Sequence, residues 1–139
     1  MTHKLDFSFI INDNENAARE AFDRGDYIQA FLLIHTLIES LLRLFLKETD
    51  EEVKVSTLIK KYNKFLDEQK YPVKTLVKEL AEFNRRRNRM VHQLWHKGYS
   101  YTNRQSKPAA NAALILYGLS IEFLETFYPE ITKTGFQYT

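Results

Sequence analysis

The stretch Phe83-Asn84-Arg85-Arg86-Arg87-Asn88-Arg89-Met90-Val91-His92-Gln93-Leu94-Trp95 concentrates side chains able to act on a phosphate. Arg87 can hold a phosphate in its planar guanidinium fork and stabilise charge that develops on it. His92 can exchange protons near neutral pH. Asn88 adds an uncharged donor and acceptor beside the arginine. On an ideal helix the step from Arg87 to His92 turns through about 500°, which leaves the two side chains about 140° apart. They flank one groove, or converge if the helix distorts. A bare Arg-x4-His pattern also arises by chance, so the surrounding elements must give it meaning.

Two further constellations stand out. His35, Glu39 and Arg43 recur every fourth residue inside an apolar run, with Lys47 extending the row. Such spacing puts them on one helix face, where Glu39 can pair with Arg43 or support Arg87 and His92. Tyr99, Tyr101, Asn103, Arg104 and Lys107 interleave aromatic and basic groups, a pattern suited to stacking on bases and binding phosphates. His92 and His96 have the spacing of paired zinc ligands, but the glutamate of a metalloprotease helix is missing and no third ligand follows. No glycine-rich phosphate loop and no G-x-S-x-G elbow occurs. We therefore expect no metal and no cofactor. A DNA-recognition helix is a poorer reading, because Met90, Val91, Leu94 and Trp95 should tie the arginine-bearing helix to the core.

The charge distribution sharpens the reading. The net charge is only +2, yet the segment from Phe83 to Ile121 has no acidic residue. Its basic residues are Arg85, Arg86, Arg87, Arg89, Lys97, Arg104 and Lys107. Folding should gather these into a basic surface that attracts phosphates or acidic partners in a salt-dependent way. The chain lacks cysteine, which excludes disulfides, thiolate metal sites and cysteine nucleophiles. No uninterrupted apolar stretch approaches the roughly 18 residues of a spanning helix. The start, MTHKLDFSFIIND, lacks the long apolar core and cleavage site of a signal peptide. The expectation is one cytoplasmic domain over residues 1–139, with no membrane association.

The elements that must position these residues read as helices. With 139 residues, 44% of them hydrophobic, and only four Gly and three Pro, the chain can bury a sizeable core. The pattern predicts a short helix from Glu15 to Arg24, capped by Asp13 or Asn14 and ended by Gly25. A long helix over Asp26–Lys47 carries a wide apolar stripe and should be central. A third, capped by Ser56, reaches Glu68. Pro72 marks the start of a fourth, Val73–His96, closed by Gly98. Tyr99–Lys107 reads as a loop, and Pro108–Tyr128 as the last helix. The tail after Ile131 should be loose. Asp6–Ile11 is the sole strand candidate. The fold class is all-α, a four- to five-helix up-and-down bundle with its core roughly over residues 15–128.

At this point the residues suggest a family. Arg87-Asn88-Arg89-Met90-Val91-His92 resembles the R-(polar)-x-x-x-H signature of HEPN domains, the "higher eukaryote and prokaryote nucleotide-binding" helical bundles. Gly25-Asp26-Tyr27 through Leu46, with His35 and Glu39, resembles the early helices of that family. The resemblance spans roughly Glu15 to Tyr128. It implies a bundle that dimerises and, in many members, a metal-independent endoribonuclease whose cleft lies between protomers. By position, Arg87 would bind the scissile phosphate and His92 would act as acid or base in attack by the ribose 2′-hydroxyl. Asn88 would order the site and Glu39 would support it. RNA would run over Arg85, Arg86, Arg89, Lys97, Tyr99, Tyr101 and Arg104. The resemblance also implies toxin–antitoxin or anti-phage systems, with an antitoxin or nucleotidyltransferase-like protein acting in trans. Other members only bind nucleotides, nucleic acid or proteins, which keeps a non-catalytic binding module as the alternative.

Overall fold

The computed structural model describes residues 7–136. They form an all-α bundle: α1 (Phe7–Asp23), α2 (Tyr27–Leu46), α3 (Val55–Glu68), α4 (Thr75–Lys97), α5 (Tyr99–Gln105) and α6 (Lys107–Glu125). A 3-10 helix, Pro129–Thr134, follows, and no strand occurs among the described residues. The helix α2 is central and packs against α1, α3, α4 and α6. Its apolar residues recur at steps of three and four and bury Ile28, Phe31, Ile34, Leu37, Ile38, Leu41 and Leu42. Each such side chain contributes on the order of 1.5–3 kcal/mol by leaving water. By length and hydropathy alone α2 is long and apolar enough to cross a membrane. The core helix of a bundle has the same composition, and that is the position α2 takes.

Several boundaries differ from those the sequence predicts. The helix α1 starts at Phe7, so Asp13 and Asn14 lie inside it and cap nothing. The strand candidate is helical over Phe7–Ile11, and Asp6 lies outside the described residues. Ile11, Glu15, Ala18 and Ala21 form a buried stripe that the early start extends. Gly25, at φ +84°, reverses the chain. The Gly25 amide donates to Phe22 and the Asp26 amide to Ala21, at 3.0 and 2.8 Å, closing the last carbonyls of α1. Ser56 lies inside α3, whose N-cap is Lys54. Pro72 precedes α4 by three residues. There Lys74 bridges to α3 through Asn63 Oδ1 at 2.7 Å and through Asp67.

The largest correction concerns Tyr99–Lys107, which forms the helix α5 and the start of α6 rather than a loop. Asn103 explains why. Its Nδ2 donates to the Gly25 carbonyl at 2.8 Å and its Oδ1 accepts from the Ile28 amide at 3.1 Å. Thr102 and Ser106 are buried beneath it. The segment after Ile131 also packs: Ile131 and Phe136 are fully buried. A Cβ on Gly135 would come within 2.8 Å of Ser8 Cα, so glycine lets this segment close against α1. The described residues thus form six α-helices, because the polar segment Tyr99–Gln105 gains tertiary partners, and the C-terminal segment packs as a 3-10 helix.

Candidate functional site: a polar groove between α2 and α4

Buried residues on α4 recur at Leu76, Leu80, Phe83 and Met90. Arg87 continues that stripe, four residues beyond Phe83 and three before Met90, yet it is exposed. The core opens at this level because α2 presents polar residues instead of apolar ones. The result is a groove of about 450 Å³. His35, Glu39 and Arg43 line it from α2, and Asn84, Arg87 and Asn88 from α4. Residues 51–56, from the α2–α3 connection and the first turn of α3, form its third side.

The groups in the groove differ in how freely they can act. Arg43 is a strut. It donates from Nε to Glu39 Oε2 at 3.0 Å, and it holds the carbonyls of Asp50 and Val53 at 2.8 and 2.5 Å. Glu39 is thereby paired with Arg43, and its field acts on His35. His35 Nε2 lies 3.1 Å from Asn84 Oδ1, and the ring packs on Phe83 with centroids 5.2 Å apart. Its pKa is lowered, first by burial and further by the Arg87 charge, against the raising effects of Asn84 and Glu39. Arg87 donates to Asn88 Oδ1 at 3.3 Å, and no described carboxylate pairs with it. The exposed acids Glu51 and Glu52 give the groove one negative edge.

The other arginines of α4 are engaged. Glu82 lies 3.0 Å from Arg85, 3.6 Å from Arg86 and 2.8 Å from Arg89. Hydrogen bonds from Arg89 and Arg85 lower its pKa. It sits one residue before the acid-free segment, at the helical spacings that reach those three arginines. Arg87 is therefore set apart from its basic neighbours.

His92 does not line the groove. It is exposed, and its ring lies 4.3 Å from that of His96. The helix α4 is unbroken from Thr75 to Lys97, so the angular separation from Arg87 stands and one copy of the chain does not bring the two together. Val91 and Trp95, expected in the core, are 43% and 87% exposed. Lys97, Tyr99, Tyr101 and Arg104 are exposed away from the groove, whereas Asn103 is a structural clamp. Among the described residues no group of three or more His, Cys, Asp or Glu could hold a metal ion.

Asn84 and Glu82 were not apparent as site residues from the sequence. The signal for Asn84 was its position three residues before Arg87 on the same face. No family model, curated protein or solved structure matches the chain significantly.

Proposed function

We propose that this chain is a metal-independent endoribonuclease with a HEPN-like arrangement, acting as a homodimer. The observation that carries the reading is the isolation of Arg87. It is the α4 arginine that Glu82 does not engage, and it lines a polar groove of about 450 Å³. In this reading the guanidinium holds the scissile phosphate, and the ribose 2′-hydroxyl attacks it. The products are a 2′,3′-cyclic phosphate and a 5′-hydroxyl. A second copy covers Val91 and Trp95, and His92 takes part at the interface between copies.

The test is RNA cleavage by purified protein in EDTA, with wild type beside Arg87→Gln and His92→Ala, and analysis of the product ends. Cleavage by wild type alone, leaving cyclic phosphate ends, supports the proposal. Cleavage of RNA lacking the 2′-hydroxyl at the cut position sinks it. One observation favours a second reading, a non-catalytic binding module for nucleic acid: Arg87 and His92 do not meet within one copy. In that case His92→Ala leaves affinity intact, while Arg87→Gln weakens binding in a salt-dependent way.

A further inference from the structure

Transesterification by a 2′-hydroxyl needs two proton transfers, one from the attacking oxygen and one to the leaving oxygen. Of the described histidines, His35 alone lines the groove that holds Arg87. Its orientation is fixed on two sides, by Asn84 Oδ1 at Nε2 and by the Phe83 ring. An amide oxygen only accepts, so Nε2 carries the proton it donates there, and the neutral ring keeps its lone pair on Nδ1. No described protein group hydrogen-bonds Nδ1, and the described buried side-chain atoms without a partner are Tyr62 Oη and Thr102 Oγ1. Nδ1 therefore has neither a hydrogen-bond partner nor complete burial among the described residues.

Resting on the endoribonuclease reading, we propose that His35 is the general base of this groove. Nδ1 takes the proton of the 2′-hydroxyl as the 2′-oxygen forms its bond to phosphorus. The bond from phosphorus to the 5′-oxygen breaks, and that oxygen leaves with a proton from His92 of a second copy. One proton is taken up and one released, so no oxidant or other co-reactant enters. Asn84 is a positioning residue that holds the ring in the reactive tautomer, and Arg87 stabilises the charge on the phosphoryl oxygens. Burial and the Arg87 charge lower the His35 pKa, which keeps the imidazole unprotonated near neutral pH as a base requires.

The experiment compares an RNA dinucleotide with uridine 3′-(4-nitrophenyl phosphate), whose leaving group departs without a proton. Wild type, His92→Ala, His35→Ala and His35→Gln are assayed as full chains, with folding checked by circular dichroism. The expected result is a loss of about a hundredfold or more for each histidine variant on the dinucleotide. On the nitrophenyl ester His92→Ala recovers and the His35 variants do not. Added imidazole restores His35→Ala, which a merely structural loss would not allow. Wild-type rates in His35→Gln, recovery of His35→Gln on the nitrophenyl ester, or failure of imidazole to restore His35→Ala each overturn the assignment while leaving the endoribonuclease reading in place. A wild type that cleaves neither substrate overturns both.

Discussion

Arg89 donates from Nη2 to Oε1 of Glu82 over 2.8 Å, two turns back along α4. The other carboxylate oxygen accepts from Arg85 Nε at 3.0 Å. One acid thus tempers a run of arginines that the sequence presents as uncompensated. Glu82→Gln should strengthen binding of single-stranded RNA several-fold at low salt and steepen its dependence on salt, by about one unit of log–log slope for each arginine that gains a phosphate. Fluorescence anisotropy across a salt series checks this. Unchanged affinity and slope would take Arg85, Arg86 and Arg89 off the path of the nucleic acid.

Trp95 is 87% exposed and Val91, four residues earlier, 43%, next to the groove-lining residues of α4. A second copy covering this face makes one prediction and an isolated chain another. Trp95→Glu should convert a dimer to a monomer in sedimentation and reduce cleavage with it. The fold of each chain should hold, because substitution at an exposed position normally changes stability by less than about 0.5 kcal/mol. A wild type that sediments as a monomer at the concentrations where it cleaves RNA would remove the dimer from the mechanism.

The central helix and the arginine-bearing helix were legible in the sequence, because periodicity reports directly on a helix, whereas the Glu39 row facing Arg87 stood there as one of two alternatives beside a row of ion pairs facing water. The same signal misplaced Val91 and Trp95. Apolar spacing shows which face is apolar, and among the described residues Val91 and Trp95 on that face stay exposed. Composition misled at Tyr99–Lys107, where polar side chains hid bonds to residues some 75 positions away. The groove depended on Asn84 meeting His35 across 49 residues, a pairing that neither helix announces by itself.

Asn103 satisfies two backbone groups of the α1–α2 turn at once. Asn103→Ala should therefore cost about 1–3 kcal/mol, since both the Gly25 carbonyl and the Ile28 amide lose their partner in a partly buried place. Urea unfolding measures the loss. Asn103→Asp should recover the bond from the Ile28 amide but not the one to the Gly25 carbonyl, and fall between the two. If Asn103 instead serves RNA alone, stability stays at the wild-type value and only RNA affinity drops.

Tyr117 donates to Glu15 Oε2 at 2.6 Å across the buried contact between α6 and α1. Burial, then the hydrogen bond and the charge of Glu15, push the phenol well above its usual range. Tyr62, also buried, is pushed up to about 12. In the unfolded chain both ionise near pH 10, while in the folded chain both keep their protons. The folded state then binds more protons than the unfolded state, so stability falls as pH rises through 10 and continues to fall until the folded-state values are reached. Below pH 10 the contribution is fully present. Urea unfolding at pH 9 and pH 11 should show that loss, and Tyr117→Phe should remove its share of the slope. At pH 9 the same variant should cost about 1.5–3 kcal/mol, the range for a hydrogen bond to a charged group. An equal slope in wild type and Tyr117→Phe would mean that the phenol is already as free to ionise in the fold as in the open chain.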